Sequence, residues 1–145
     1  MAIIYQAGPL FSEAEKSFHR YLTLLLERAE YTVVWPGDLL TDQEIADAGD
    51  GAATLIFDGC RKALDGSDIV VALLDGPQVD DGTAWEIGYA HAKGMPVFGL
   101  RTDARKAGET GNARVNSMIE QCLAGLAVST EDLMRMLKGW ARNGS

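Results

Sequence analysis

Apolar residues recur with two different periods along the chain, and segments with the two periods alternate. Short apolar runs rich in β-branched residues are typical of strands. They cover residues 2–5, 31–35, 68–74, 95–100 and 126–128. Apolar positions at helical spacing predict helices over residues 12–29 and 52–64, and others that begin near Asp80, at Val115 and after Ser129. This alternation predicts a single α/β domain of the flavodoxin-like or Rossmann-like kind, in which helices flank a five-stranded parallel sheet.

Polar side chains at the predicted helix starts support this division. Ser12 and Glu15 have the spacing of a capping box at the first helix. Thr41 and Glu44 repeat that spacing inside residues 38–51, a segment that is rich in Gly and Asp and lacks a strong apolar period. We expect this segment to form a short helix within a mobile lid, because it is long and follows a strand.

The stretch from residue 68 to residue 90 holds the candidate chemistry. Residues 69–74 are a continuous apolar run, which is typical of a strand buried on both faces of a parallel sheet. The turn 75–77 ends this strand, and the polar residues 80–83 can accept hydrogen bonds from the first N–H groups of a new helix. Ligands of open α/β sheets bind beyond the carboxyl ends of the strands, so this acidic loop is the candidate site.

Glu86 falls within the first turns of the predicted helix. The helix dipole favours an ionised carboxylate there, and an ionised Glu can act as a nucleophile or as a base. The alternative is that Asp80, Asp81 and Glu86 only cap and charge the helix start, with Asp81 the better candidate for a pure cap.

Composition and charge narrow the classes of partner. The chain has 145 residues, 47% of them hydrophobic and 23% charged, which is typical of one globular domain, so we expect residues 1–145 to form it. The net charge of −8 disfavours a nucleic acid or an anionic membrane as partner. No signal-peptide pattern and no apolar run of membrane-spanning length is present, so we expect a cytoplasmic protein.

Cofactor motifs are absent from the sequence. Cys60 and Cys122 lack the spacing of a zinc site or of a disulfide framework. The chain has neither a Gly-x-Gly-x-x-Gly fingerprint nor a Gly-x-x-x-x-Gly-Lys phosphate loop. We therefore expect no metal, NAD or ATP, and a neutral small molecule suits the composition better.

Two motifs resemble one family of enzymes, the nucleoside 2-deoxyribosyltransferases. They are Tyr5-x-Ala7-Gly8-Pro9-Leu10-Phe11 and Asp80-x-Gly82-Thr83-Ala84-Trp85-Glu86-Ile87-Gly88-Tyr89-Ala90. The resemblance runs over nearly the whole chain and keeps the order of the motifs. It implies base exchange between 2′-deoxynucleosides and free purine or pyrimidine bases, through a covalent 2-deoxyribosyl-glutamate intermediate and with retention of configuration. It implies no cofactor.

The resemblance also implies roles for single residues. Glu86 matches the nucleophile, Tyr5 the residue that orients it, and Asp80 the residue that holds the 5′-hydroxyl of the sugar. Asn116 and Met118 match an Asn-x-Met element that reaches the 5′ end of the sugar from a neighbouring subunit. A homo-oligomer is therefore expected, with Asn116 completing a neighbour's site.

The remaining candidate residues are expected to contact the substrate. Gly82 belongs to the second motif, and Gly8, Pro9 and Phe11 are expected near the base, since glycine permits close approach and Phe supplies an aromatic face. The family often has an aspartate that protonates the leaving base, and Cys60 stands at its position here. A thiol is a poorer proton donor than a carboxylic acid, so Asp38 and Asp58 are the candidate substitutes.

Other functions stay open at this point. An N-glycosidase that gives the sugar to water would share the nucleophile. Related enzymes that hydrolyse deoxynucleoside 5′-monophosphates carry serine at the positions of Asp80 and Asn116, and a carboxylate at Asp80 would repel their phosphate. A non-catalytic nucleoside-binding protein is a third possibility. A receiver-like module phosphorylated at Asp75 is a fourth, although Tyr5-Gln6 replaces the acidic pair that such modules use for magnesium.

Overall fold

The structure is a computed structural model that describes residues 1–143, so the last two residues of the predicted domain, Gly144 and Ser145, lie outside the described residues. The strands are β1 (Ile3–Ala7), β2 (Thr32–Val34), β3 (Ile69–Leu73), β4 (Val97–Leu100) and β5 (Gly125–Ala127). The helices are α1 (Glu13–Arg28), α2 (Asp42–Ala48), α3 (Ala52–Asp65), α4 (Asp81–Ala92), α5 (Ser117–Glu120) and α6 (Thr130–Arg142). Short 3-10 turns cover Pro36–Asp38 and Gly49–Gly51.

Within residues 1–143 the strands form a five-stranded parallel sheet in the order β2-β1-β3-β4-β5. Tyr5 is in register with Val34, and Val71 with Phe98. Every residue of β3 is buried, as its unbroken apolar run predicts. The predicted α/β class, with a five-stranded parallel sheet flanked by helices, is confirmed.

The predicted helix caps at α1, α2 and α6 are confirmed. Ser12 and Glu15 form the capping box of α1, and Thr41 and Glu44 form that of α2. The hydroxyl of Ser129 accepts a hydrogen bond at the start of α6. The first strand, however, runs two residues beyond its predicted end at Tyr5. It does so because the side chain of Gln6 is buried and hydrogen-bonded, although a polar residue at that place looked like the end of an apolar run.

The chain divides into two compact units. The first comprises Met1–Gln6 and Leu10–Asp68, and the second comprises Ala7–Pro9 and the chain from Ile69 onward. Buried side chains of the first unit include Ile4, Leu22, Leu26 and Leu64. Those of the second include Val70, Val71, Ile87, Leu100, Leu133 and Leu137. The assignment of residues 1–145 to one domain stays a prediction.

None of the helices in the part of the chain that the structure describes combines the length and the apolar character that a bilayer crossing requires.

Candidate active site

The start of α4 is fixed by Asp80. Its Oδ2 accepts hydrogen bonds from the main-chain N–H of Thr83 (3.0 Å) and from the Thr83 hydroxyl (2.9 Å). Asp81 is already the first residue of the helix, and its Oδ1 accepts only from the adjacent N–H of Gly82 (2.8 Å) within the described residues. The expectation that Asp81 is the better cap is therefore wrong. A cap residue has non-helical backbone angles, and Asp80 has them, with φ −53° and ψ 137°.

Glu86 is the sixth residue of α4, and its side chain is half-buried. Thr83, Ile87 and Ala90 form the buried side of the same helix. The field of the helix dipole falls off within the first turn, so its effect on a residue in the second turn is smaller than the sequence led us to expect. The helix therefore serves Glu86 mainly as a rigid support.

Hydrogen bonds join the turn between β3 and α4 to the residues that follow β4. The Asp75 carboxylate accepts from the main-chain N–H groups of Thr102 (2.7 Å) and Asp103 (3.1 Å), and from the Thr102 hydroxyl. A receiver-like phosphoacceptor needs a carboxylate that is open to attack, whereas this one is bound to the following loop. The structure thus argues against the receiver-like alternative.

A pocket of about 540 Å³ lies between α4 and the segment that holds α5. It brings Asn116 and Met118 together with one side of α4. The pocket is lined by Gln78, Val79, Asp81, Ala84, Ile87, Gly88, Ala107, Asn116, Met118, Ile119 and Cys122. Asp80, Gly82 and Glu86 are not among these described lining residues, so Asn116 and Glu86 of one chain do not share this pocket.

Asn116 and Met118 lie at the start of α5. The Asn116 side chain caps this helix, with Oδ1 accepting from the main-chain N–H of Met118 at 2.9 Å. The Met118 side chain is 79% exposed. The Met118 side chain is therefore accessible to a second molecule.

The residues of the first motif lie around the end of β1. The Tyr5 side chain is completely buried. Gly8 has φ +149°, which favours glycine, and both Gly8 and Pro9 are buried. Phe11 is 75% exposed, and its main-chain N–H donates to Glu15 Oε1 (3.1 Å). The ring of Phe11 is thus accessible.

Asp38, Asp58 and Cys60 have different surroundings. Asp38 ends an exposed 3-10 turn, whereas Asp58 and Cys60 are half-buried on α3. Neither Cys60 nor Cys122 forms a disulfide within the described residues. The assignment of Asp38 or Asp58 as the group that protonates the leaving base stays a prediction.

Buried polar residues near these motifs were missed by sequence reasoning. Gln6 Nε2 donates to the main-chain oxygen of His19 (2.9 Å) and contacts His19 Nδ1 (2.9 Å), while Thr23 Oγ1 donates to Gln6 Oε1 (3.1 Å). The His19 ring stacks on Trp35, with ring centroids 5.5 Å apart. Arg101 is buried as well, although it opens a charged loop. The available signal was the position of Gln6 and Arg101 next to apolar strand residues.

An aromatic row runs along the outer side of α4. Trp85 is 46% exposed and stacks on Tyr89, with ring centroids 5.1 Å apart. Lys93 Nζ lies 5.5 Å from the centroid of the Tyr89 ring. The two residues that flank Glu86 therefore face differently, since Trp85 reaches solvent and Ile87 is buried.

No group of three or more His, Cys, Asp or Glu side chains within residues 1–143 is arranged to hold a metal ion.

One family model and several solved structures are similar to this chain. The family model for nucleoside 2-deoxyribosyltransferase matches residues 4–134. A conserved protein from Enterococcus faecalis V583 is 29% identical, with 96% of this chain and 98% of that chain covered and a TM-score of 0.74. The 2-deoxyribosyltransferase of Bacillus psychrosaccharolyticus is 25% identical, with 91% and 90% covered and a TM-score of 0.75.

A CMP N-glycosidase from Clostridium botulinum is 20% identical, with 94% and 98% covered and a TM-score of 0.56, which shows the fold alone. No curated protein matches the chain.

The family match includes both motifs that carry the candidate chemistry. It begins one residue before Tyr5 and continues past Glu86 and Asn116 into α6. Members of this family transfer or release the glycosyl groups of nucleosides. Because the match spans most of the 145 residues, the chain belongs to the nucleoside 2-deoxyribosyltransferase family.

Proposed function

We propose that this protein exchanges the base of 2′-deoxynucleosides, with Glu86 as the nucleophile. The observation that carries the proposal is the placement of Glu86 on α4, the helix that follows the acidic loop at the carboxyl end of β3. That edge of a parallel sheet is where ligands bind in open α/β folds. The family match, which includes residue 86, supports the proposal because members of the family act on nucleosides.

The reaction proceeds by two displacements. A carboxylate oxygen of Glu86 attacks C1′ of the sugar, the bond between C1′ and the base breaks, and its electron pair leaves with the base, which takes up a proton. The second base then attacks C1′ with a ring nitrogen and gives the proton of that nitrogen to the group that protonated the first base, while the ester bond to Glu86 breaks and the carboxylate is restored. Two inversions give net retention. If water replaces the second base, the product is free 2-deoxyribose.

Asp80 suits the sugar end of a nucleoside. Its Oδ2 is used to cap α4, while within the described residues its Oδ1 accepts no hydrogen bond from the protein. That oxygen can accept a hydrogen bond from the 5′-hydroxyl. A carboxylate would repel a 5′-phosphate, so we propose free nucleosides rather than nucleotides as substrates.

The first motif supplies the rest of the site in this proposal. Tyr5 orients the carboxylate of Glu86, and the accessible ring of Phe11 packs against the base beside Gly8 and Pro9. Gly82 and Asp38 are proposed to contact the substrate as well. A carboxyl group at Asp38, on its exposed turn, replaces the proton donor that is missing at Cys60.

We propose that two subunits share each site. Asn116 and Met118 line a pocket on the side of α4 away from Glu86, and Met118 is largely exposed. A second copy seated there would cover this apolar surface and bring its own Asn116 to the neighbour's sugar. The homo-oligomer and the cytoplasmic location stay predictions.

Hydrolysis is the second candidate function. The fold is shared with a CMP N-glycosidase, and the first displacement would be the same. The two activities differ only in whether a base or water attacks the intermediate. The product, and not the nucleophile, distinguishes them.

The test follows both products of one reaction. Purified protein is mixed with deoxyadenosine and free cytosine or hypoxanthine, and nucleosides are separated by chromatography. Base exchange should produce a new deoxynucleoside. Glu86→Gln should lower the rate by on the order of 10³-fold or more, because the amide keeps the shape of the side chain but is not a nucleophile. Glu131→Gln, at the exposed start of α6, is the control.

Three outcomes separate the candidates. A new deoxynucleoside that disappears in Glu86→Gln establishes exchange through Glu86. Free deoxyribose without a new nucleoside assigns the protein as a hydrolase. If none of the four common deoxynucleosides or their monophosphates reacts, the catalytic proposal is wrong and a nucleoside-binding role replaces it.

A further inference from the structure

Arg101 is a buried cation directly after β4. Its side chain is 1% exposed. Nη1 donates to the main-chain oxygens of Leu74 (2.5 Å) and Gly76 (3.1 Å), and Nη2 donates to that of Arg105 (2.7 Å). Within the described residues its Nε has no hydrogen-bond partner, and no carboxylate forms an ion pair with its guanidinium.

Such burial needs a reason other than packing. A guanidinium in the interior loses hydration that neutral carbonyl groups replace only in part. An apolar side chain of similar length would occupy the same space without that loss. The structural role of Arg101 therefore lies in the main chain that it holds.

The carboxylates of Asp75 and Asp103 join the same two segments. Asp75 accepts from the main-chain N–H groups of Thr102 and Asp103, and Asp103 accepts from that of Gly76 (3.1 Å). Hydrogen bonds thus join residues 74–76 and 101–105, with donors and acceptors on both segments. We refer to Arg101, Asp75 and Asp103 as the clamp.

Asp103 keeps its negative charge near neutral pH. The Arg105 side chain donates to both carboxylate oxygens of Asp103 and holds the pKa of that carboxyl well below its usual range. Protonation of Asp103 therefore does not open the clamp near neutral pH.

The clamped turn leads directly into the proposed site. Gly76 has φ +119°, which favours glycine, and the chain reaches the cap residue Asp80 only four residues later. The position at which the main chain leaves Gly76 therefore sets where α4 begins. Glu86 follows on the same rigid helix.

We propose that Arg101 is a positioning residue for the transfer reaction. It holds the turn at residues 74–76, so that Asp80 and Glu86 lie where the substrate requires them, and it does not touch the substrate itself. This proposal rests on the proposed role of Glu86. A displacement of about 1 Å in a reacting group lowers a rate by as much as 10²-fold, so a loosened turn has a large kinetic effect.

The test compares Arg101→Met and Arg101→Lys with Arg20→Met, an exposed position on α1. Base exchange is measured well below the thermal unfolding midpoint of every variant. We expect kcat to fall by about 10- to 100-fold in Arg101→Met and to recover in part in Arg101→Lys, because an ammonium group donates to some of the same carbonyls. Arg20→Met should match the wild type.

Hydrogen exchange supplies a second readout that needs no activity. The N–H of Thr83 is bound by the cap Asp80, and the N–H of Asp132 by the corresponding cap Ser129 on α6. In Arg101→Met the Thr83 N–H should exchange at least about tenfold faster, because the start of α4 is no longer fixed, while that of Asp132 is unchanged. This pattern separates a local effect from general destabilisation.

The outcomes that overturn the proposal are distinct. A kcat within twofold of the wild type in Arg101→Met overturns the proposal. A lower kcat without faster hydrogen exchange at the Thr83 N–H overturns it as well. If Arg101→Met does not fold, Asp103→Ala removes the bond to Gly76 and must give both effects. If the wild type shows no exchange of bases, the proposed function has failed, and the response at Thr83 alone decides whether Arg101 positions α4.

Discussion

The two carboxylate oxygens of Asp80 have different roles in the proposed site. One oxygen caps α4 through Thr83, and the other is proposed to bind the sugar. Sequence reasoning treated these as competing roles, whereas a carboxylate has enough lone pairs for both. The charge of Asp80 and its capping ability can therefore be altered separately.

Asp80→Asn keeps a cap acceptor and removes the charge. We expect its free energy of unfolding to change by less than about 0.5 kcal/mol, because Asn and Asp are equally good caps, whereas Asp80→Ala costs about 1 kcal/mol. Deoxynucleoside 5′-monophosphates should inhibit base exchange more strongly in Asp80→Asn, since the repulsion of phosphate is gone. Urea unfolding and inhibition assays measure the two effects. Equal inhibition of wild type and variant would contradict the proposed discrimination.

The turn at Gly37 packs closely against the indole ring of Trp35. A Cβ built at Gly37 would lie 2.4 Å from the Trp35 ring, and that ring is only 7% exposed. We expect Gly37→Ala to lower the free energy of unfolding by about 1–3 kcal/mol, because the buried ring has little room to move. Urea denaturation measures the change.

The control for Gly37→Ala is Gly59→Ala, a glycine inside α3 at which an added Cβ meets nothing within 4 Å. Alanine favours the helix there, so this variant should be more stable by about 0.5–1 kcal/mol. Opposite signs for the two substitutions are the expected result. A neutral Gly37→Ala would mean that the turn moves away from Trp35 freely.

At the scale of elements, the capping box of α1 links pH to stability. Glu15 Oε1 accepts from the main-chain N–H groups of Ser12 (2.8 Å) and Phe11 (3.1 Å). The bond from Ser12 is the main cause that lowers the pKa of Glu15. A lowered pKa in the folded state stabilises the protein above the ordinary pKa of Glu, and this contribution is lost as the pH falls through the folded value.

Glu15→Gln should therefore narrow the difference between stability at neutral and at acidic pH. Below the ordinary pKa of Glu the wild type loses the contribution of the Glu15 carboxylate, which the variant lacks at every pH. Thermal unfolding midpoints from pH 7 to about pH 3 measure this. Glu27→Gln is the control, since within the described residues its side chain accepts no hydrogen bond. Parallel pH curves for wild type and Glu15→Gln would contradict the prediction.

The sequence predicted the elements whose causes are local. A capping box needs two residues three positions apart, and a strand buried on both faces needs an unbroken apolar run, so the caps of α1 and α2 and the strand β3 were all predicted. The exact cap of α4 was not, because Asp80 and Asp81 differ only in backbone angles that the sequence does not display.

The other features that the sequence did not predict depend on long-range contacts. The burial of Arg101 was not predicted, since it depends on carbonyl groups 25 and 27 residues away in sequence. Gln6 was not expected in a strand for a similar reason. For the site, the motif placed Asp80 at the start of the helix that holds Glu86, but the pocket at Asn116 required the packing of α5 beside α4.

At the scale of the whole molecule, the proposal that two subunits share each site can be tested by complementation. Glu86→Gln and Asn116→Ala should each be inactive or nearly so. When the two are co-expressed, a mixed dimer contains one site with both original residues, so about a quarter of the wild-type activity should return if assembly is random. Base exchange and size-exclusion chromatography measure activity and assembly.

The control pairs Glu86→Gln with Asp80→Ala. Asp80 caps α4 and Glu86 lies on the same helix, so both belong to the same chain's site and no mixed dimer restores a complete site. Recovery in this control would mean that the activity comes from another source. Lack of recovery with Asn116→Ala, despite mixed dimers, would show that Asn116 serves its own chain.

The three tryptophans give the molecule built-in fluorescent reporters. Trp35 is buried against His19, Trp140 packs edge-on to Phe98 with centroids 6.4 Å apart, and Trp85 is exposed beside Glu86. Trp85 should emit at the longest wavelength and be the one that iodide quenches. A ligand or a second copy that covers α4 would shift and protect this emission while Trp35 stays unchanged, so occupancy of that helix can be followed in solution without any label.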